Sequence, residues 1–460
     1  MAPVEAELAV LVPAPARALI DQLVAGGHAA YLVGGSLRDL LGGRQPGDWD
    51  LASDARPDQL VALLPGAVYE NQFGTVAVRR ERTLFEITTF RIEHEYADFR
   101  RPHKLEFGDD IDADLARRDF TVNALAWGRR PGEAANQLLD RFGGRADLAA
   151  RTLRAVGDPE ARFREDALRM VRAVRLAATL DFAIEPATLA AVAANAELVR
   201  HLSGERIAAE LEKLLAAPRP SVGLDLMART GLLAAISPVL AAQRGIPQNK
   251  HPGEDLWDHT LRAVDAAPAN RPVVRLAALV HDIGKPATLE HGHFPHHDRV
   301  GAELAAELLR RLHYPRTPAE TVAHLVRHHM FSADPSLSDA AIRRFIKRIG
   351  AEHLDDLFAL RRADDIGSAA DPDDAGIRAF RERVAAELHA AHPLDRTDLA
   401  IDGGDLMREL GLAQGPRLGR VIEGLLEQVI NEPALNTPDS LLLLAQGILA
   451  DMDADAGTAS

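Results

Sequence analysis

The run Tyr31-Leu-Val-Gly34-Gly35-Ser36-Leu-Arg38-Asp39, followed after a short gap by Gly47-Asp48-Trp49-Asp50-Leu51, leaves few folds open. The apolar residues before Gly34 predict a strand. The two glycines let backbone approach a ligand closely, and Ser36 to Leu41 predicts the first turns of a helix. Free N–H groups and partial positive charge at such a helix start suit a phosphate chain, with Arg38 as a side-chain clamp. Asp48 and Asp50 are two apart, so on a strand they point to one face. Two carboxylates so placed can hold a pair of Mg²⁺ ions between an attacking hydroxyl and an α-phosphate. Taken alone, the same residues also suit a tight turn and helix followed by a solvated acidic loop.

Downstream residues favour the phosphate reading. Phe85 to Phe90 alternates like a half-buried strand, with Glu86 on one face as a third carboxylate. Leu115 to Ala126 sets Arg117, Arg118, Asp119 and Asn123 in and beside an apolar segment, where charge is costly unless it has work there. From Arg164 to Ala178 the apolar positions recur at helical spacing, so Asp166 and Arg169, at i and i+3, share a helix face. Cytosine and adenine both present an amine donor beside a ring-nitrogen acceptor, and uracil and guanine the reverse. A carboxylate and a guanidinium at that spacing would select C and A. An ordinary surface ion pair has the same spacing.

The ordered blocks Gly34-Gly35-x-x-Arg38-Asp39, Asp48-x-Asp50, Arg117-Arg118-Asp119-x-x-x-Asn123-Ala124, Leu139-Asp140-Arg-Phe-Gly143-Gly144, Glu165-Asp166-x-x-Arg169 and Gly204-Glu205-Arg206-Ile207 resemble the class II tRNA nucleotidyltransferase and poly(A) polymerase family. The resemblance covers about residues 30 to 215 and continues more loosely to about 445. It implies template-free addition of C, C and A to the tRNA 3′ end from CTP and ATP. It implies Asp48 and Asp50 as Mg²⁺ ligands with Glu86 as a further catalytic carboxylate. Gly34, Gly35, Arg38, Arg118, Asp119 and Asn123 would bind triphosphate and ribose. Asp166 and Arg169 would read the base, with Arg172, Arg175 and Arg206 in support. The family usually has proline after the aspartate of the Asp140 block, and Arg141 stands there instead, which touches the stiffness of a hinge. The polar segment Arg91 to Phe107 resembles the mobile loop of full CCA-adding members, and Phe73 to Val78 also resembles the tRNA enzymes. An A-adding or poly(A) polymerase keeps the same core blocks.

A second constellation follows. His259, His281-Asp282, His297, His329 and Asp364 stand in the order of the HD metal-dependent phosphohydrolase signature, and imidazoles with carboxylates suit Ni²⁺, Mn²⁺, Fe²⁺ or Zn²⁺. The resemblance implies a phosphatase or 2′,3′-cyclic phosphodiesterase activity there. A further reading makes the chain an HD phosphohydrolase whose head is a noncatalytic RNA-binding domain, and the intact Asp48, Asp50, Asp166 and Arg169 set speaks against it.

The 460 residues suffice for several domains, and the absence of cysteine excludes disulfides, thiol nucleophiles and thiolate zinc sites. A formal net charge of -15 argues against a nonspecific nucleic-acid binder, leaving local basic stripes to meet a folded RNA. Arg151, Arg154, Arg162 and Arg164, then Arg343, Arg344, Lys347 and Arg348, are candidate stripes or else solvated helix faces. No basic start and no membrane-length apolar run point to a cytoplasmic protein with no membrane and no evident obligate protein partner. The fold class expected is α+β: an α/β nucleotidyltransferase head (1–150), then an all-helical neck (151–217) and an HD-like body (218–375, core about 250–370). A helical, tRNA-binding tail (376–450) and a disordered end (451–460) would follow.

Overall fold

The computed structural model describes residues 4–71, 74–94, 104–247, 253–334, 336–369 and 375–458. These form two compact units, residues 1–246 with 307–315 and residues 247–306 with 316–460. The class is α+β, as the residue pattern predicts.

The first unit opens on a sheet of β1 (Ala30–Val33), β2 (Trp49–Ser53), β3 (Val68–Asn71), β4 (Thr75–Arg80), β5 (Thr83–Thr89), β8 (Leu125–Arg129) and β9 (Gln137–Asp140), in the order β3-β4-β5-β2-β1-β8-β9. Strands β2 and β5 run parallel and set Asp50 directly opposite Glu86; the other neighbours are antiparallel. Alternation gives the two faces different tasks. Leu32, Leu51, Phe85, Ile87, Leu125 and Trp127 pack in one core with α1 (Val4–Leu11), α2 (Ala14–Ala25), α3 (Gly34–Leu41) and α4 (Pro57–Leu63). The opposite face carries a smaller cluster of Tyr31, Val33, Ala52, Phe90 and Ala126 under α5 (Ile111–Ala116). Asp50 and Glu86 share that face's parity. One side of the sheet therefore holds the domain together and leaves the other for polar groups.

Arg91 to Phe107 is not wholly a loop: its ends pair as β6 (Arg91–His94) and β7 (Lys104–Phe107), since Ile92 and Leu105 continue an extended pattern. Residues 95–103 and Phe73 lie outside the described residues.

Helices then take over: α6 (Gly144–Ala149), α7 (Pro159–Glu165), α8 (Leu168–Leu180), α9 (Pro186–Asn195), α10 (Gly204–Leu215), α11 (Pro220–Arg229), α12 (Leu232–Ile236) and α13 (Pro238–Ala241). The helical run expected from Arg164 to Ala178 is broken. Asp166 is extended, with φ -145° and ψ 104°, and its Oδ1 accepts from Leu168 N at 3.1 Å, so it ends α7 and caps α8. Helix α11 packs tightly on α8 through Gly223, where a Cβ would come within 2.5 Å of Leu214 Cδ1 and 2.9 Å of Val174 O.

The second unit contains α14 (Leu256–Ala266), α15 (Pro272–Val280), most of α16 (His297–Arg311), α17 (Arg316–His328), α18 (Asp339–Ile349), α19 (Leu354–Gly367), α20 (Ala375–Ala390), α21 (Gly403–Leu410), α22 (Pro416–Asn431) and α23 (Pro438–Thr458). The tail belongs to the same unit as the HD-type helices because buried Arg343 of α18 donates to the carbonyls of Ile430 (2.6 Å) and Asn431 (3.1 Å) at the end of α22. The end expected to be disordered at 451–460 is helical as far as Thr458. It continues the helix whose earlier turns Leu441 and Ala445 anchor in the tail core, although Asp, Thr and Gly are weak helix formers. Among the described residues no single helix is long and apolar enough to cross a membrane; the bent pair α1 and α2 has that composition, but Leu8, Val12, Leu19, Ile20 and Leu23 are core residues of the head.

Gly144 fixes how α6 meets the sheet. Its N–H donates to Asp140 Oδ1 at 2.7 Å, and an added Cβ would stand 2.2 Å from Thr121 O. Gly144→Ala must therefore displace the 3₁₀ turn Thr121–Asn123, and should cost about 2 to 3 kcal/mol of stability, read as a lower urea midpoint.

Candidate functional site

The head site is built where β1 gives way to α3. Gly34 has φ +73°, and a Cβ there would lie 3.1 Å from Arg118 Nη1 and 3.6 Å from Asp50 Oδ2. The glycine keeps open a space lined by a cation and a carboxylate. Asp48 is exposed just before β2 and Asp50 is half-buried within it. Burial raises the Asp50 carboxyl above its ordinary value; Arg118 opposes this and the charge of Asp48 adds to it. A carboxylate made costlier to ionise by burial and by a neighbouring carboxylate is a donor that a divalent cation relieves. Glu86 on β5, half-buried, stands opposite Asp50 across the β2–β5 pairing. The three do not gather as three ligand oxygens within 4.8 Å of one another.

Beside them runs a chain of charge-assisted bonds. Arg38 donates Nε and Nη2 to Asp39, both at 2.9 Å, and Nη1 to Asn123 Oδ1 at 2.7 Å. Asn123 Nδ2 donates to Asp119 Oδ1 at 3.0 Å, and Arg172 Nε donates to Asp119 Oδ2 at 2.8 Å. Burial alone would raise the Asp119 carboxyl, but Arg172 and Asn123 hold it well below the usual carboxylate range. On α10, Glu210 accepts from Arg175 Nε at 2.5 Å and lies 3.6 Å from Arg172 Nη1. Gly35 lies against the Arg38 guanidinium, with a Cβ position 3.5 Å from Nη2.

Asp166 and Arg169 are not bonded to each other. Arg206 Nη2 donates to Asp166 Oδ2 at 2.7 Å, while Arg169 donates to Glu165 Oε2 and to Arg117 O, each at 2.7 Å. The pair expected on one helix face straddles the α7–α8 break, each side chain held by a different neighbour.

Three functional candidates escaped the residue pattern. Buried Asp114 accepts from Arg117 Nη2 at 2.6 Å and Arg118 Nη2 at 3.2 Å, and thereby aims Arg118. Buried Glu210 organises the arginines of α8. Lys285 donates to Asp282 at 2.6 Å in the second unit. Asp114 and Lys285 had a signal in their i to i+3 or i+4 spacing from a partner; Glu210 pairs across helices and had none.

The second site brings all six HD-type residues together. Its centre is buried Asp282. Oδ2 lies 3.4 Å from His259 Nε2 and 3.2 Å from His281 Nε2, and Oδ1 lies 3.5 Å from His297 Nε2 and 3.7 Å from His329 Nε2. Asp364 Oδ1 closes one side, 3.3 Å from His259 Nε2 and 3.7 Å from His281 Nε2. His281, His297 and His329 donate Nδ1–H to the carbonyls of Ala278, Phe294 and Val326 at 2.8, 2.8 and 2.7 Å. These bonds leave each Nε2 lone pair facing inward, and Nε2 of His297 and His329 is buried without a partner. Burial works against charge on His259, yet hydrogen bonds to Asp282 and Asp364 push it up to about 9. The donor set fits one or two borderline divalent ions, with Asp282 able to bridge.

The two expected basic stripes are largely neutralised. Arg343 is buried against Glu387 at 3.0 Å, Arg344 pairs with Glu427 at 3.1 Å and Lys347 with Glu423 at 3.2 Å. Arg151 pairs with Asp181 at 2.7 Å, Arg154 with Asp147 and Arg164 with Glu160, each at 3.1 Å. The buried Arg343 pair is structural, whereas the exposed pairs are weak and lower the net charge of each stripe without fixing its arginines.

Comparison with known proteins gives a consistent picture. Residues 30–154 match the poly A polymerase head domain, 181–244 the probable RNA and SrmB-binding site of polymerase A, and 253–367 the HD domain. A CCA-adding enzyme of Geobacillus thermodenitrificans is 45% identical over 218 residues, 47% of this chain and 53% of that enzyme. One of Geobacillus kaustophilus is 34% identical over 437 residues, 93% of this chain and 95% of that enzyme. The crystal structure of the Bacillus stearothermophilus CCA-adding enzyme in complex with CTP superposes with a TM-score of 0.70 at 27% identity, covering 96% of this chain and all of that one (100%).

Because Asp119 is held below its ordinary value, its contribution to stability is complete above about pH 4 and is lost as pH falls further through its folded value. Asp119→Asn should be less stable at neutral pH by about 3 kcal/mol. Its urea midpoint should also depend less on pH below about 4 than that of the parent chain.

Proposed function

The chain belongs to the family of CCA-adding enzymes, and we propose that it adds C, C and A to the 3′ end of tRNA from CTP and ATP, without a nucleic-acid template. The observation that carries this is the open space at Gly34, lined by Asp50 and Arg118 and backed by the Arg38–Asn123–Asp119–Arg172 chain. Anion and carboxylate-bound cation sites adjoin there, as nucleotidyl transfer requires.

In this reading Asp48 and Asp50, with Glu86 alongside, hold Mg²⁺, which supplies acidification of the tRNA 3′-hydroxyl and neutralises charge on pyrophosphate. Arg38, Arg118 and the N–H groups of Gly34 and Gly35 at the start of α3 take the triphosphate. Asp119 and Asn123 orient the ribose. Asp166, steadied by Arg206, accepts from the exocyclic amine, and Arg169, steadied by Glu165, donates to the ring nitrogen. Positioning supplies the rate, so no side-chain nucleophile is needed. The reaction belongs in the cytoplasm, where tRNA, CTP and ATP meet.

The test is incubation with Mg²⁺ and tRNAs ending before CCA, after C and after CC, with each ribonucleoside triphosphate in turn. Stepwise C, C, A addition that then stops is expected. Addition of A alone after CC, or of long A tails, would replace the reading with an A-adding or poly(A) polymerase. Asp50→Asn should lower the rate by about 10³-fold or more with an unchanged fold by circular dichroism. Asp166→Ala should instead narrow the preference for CTP and ATP over UTP and GTP while transfer persists.

A second activity rests on the inward Nε2 atoms around Asp282. We propose that this site, loaded with Ni²⁺, Mn²⁺, Fe²⁺ or Zn²⁺, hydrolyses phosphomonoesters or 2′,3′-cyclic phosphates, with Lys285 countering charge on Asp282. Phosphate release with Ni²⁺ or Mn²⁺ that disappears in Asp282→Asn, while CCA addition persists, is the expected result.

A further inference from the structure

Three histidines outside both sites stand together in the second unit. His324 and His328 are four residues apart on α17, with ring centroids 4.7 Å apart; His353, just before α19, puts its ring 4.9 Å from His324. Imidazoles that bind one tetrahedral ion through bonds of about 2 Å hold their ring centres about 5 Å apart. The buried HD-type histidines show the same spacing, 5.2 to 5.4 Å between neighbouring rings.

We propose that His324, His328 and His353 form a separate site for a borderline divalent ion such as Ni²⁺, Zn²⁺ or Cu²⁺. His324 Nε2 donates to Ile349 O at 2.8 Å, which fixes the tautomer and leaves the Nδ1 lone pair for a ligand. That is the second bond metal-binding histidines use, here from the opposite ring nitrogen. Of the two cations beside His328, Arg327 reaches Asp298 at 3.5 Å and Arg348 lies over the Phe345 ring at 5.8 Å. Glu352, whose Oε1 is 3.8 Å from His353 Nε2, offers a fourth donor. The three nitrogens are not within 4.8 Å of one another. Closing the triad takes rotation of His328 and His353, which are only half-buried.

The experiment uses the full chain, stripped with chelator and dialysed against Ni²⁺, with bound metal counted by elemental analysis. His328→Gln/His353→Gln should bind one ion fewer per chain than the parent while keeping its melting temperature and its CCA-adding rate. Equal stoichiometry in the two proteins overturns the proposal. His328→Gln alone, which leaves His353 in place, should weaken the same ion's affinity, and an unchanged Ni²⁺ titration would overturn it equally. Cu²⁺ electron paramagnetic resonance of the parent should show a nitrogen-coordinated species missing from the double variant.

Discussion

The carboxylate of Asp119 is the contact on which the first unit depends. It is buried, and a buried charge is tolerable only when fully paired. Its partners come from both sides: Asn123 from the head and Arg172 from the first long helix after it. Arg172 in turn approaches Glu210, and Arg206, one turn earlier on α10, holds Asp166. One helix thus backs both the ribose-side chain of bonds and the carboxylate assigned to base reading. Removing any one partner leaves another charge buried, so these residues behave as a unit and single-residue energies within it will not add.

The chemistry was more legible in the sequence than its support. Gly34-Gly35, Asp48-x-Asp50 and the HD-type histidines act through local backbone conformation or as bare donor types, both of which a sequence displays. The strand, turn and helix at Gly34 follow directly from residue type. Glu210 meets Arg175 only because two helices pack, and nothing local in either segment announces it. Asp166 shows the opposite failure. Helical spacing ran through it, but its carboxylate competes with the backbone and caps the next helix, so periodicity concealed a break. The basic stripes show a third limit: a linear reading counts cations without the acids that tertiary packing places beside them.

The two proposed ligand sets differ in a way that would keep their ions apart. The head presents carboxylates from half-exposed positions, a hard oxygen set with room for water, which suits Mg²⁺. The HD-type site presents four imidazoles and two carboxylates, mostly buried, with the tautomers of His281, His297 and His329 fixed by backbone carbonyls. Imidazole favours later transition ions by the usual affinity order, and a buried site excludes the water that Mg²⁺ gives up reluctantly. With no cysteine in the chain, no softer ligand competes for those ions. On that assignment, Mg²⁺ at cellular abundance would serve the head without displacing a scarcer ion from the second site. That separation would follow from donor type and burial alone, and would let one chain hold both proposed metal-dependent chemistries, each within its own compact unit.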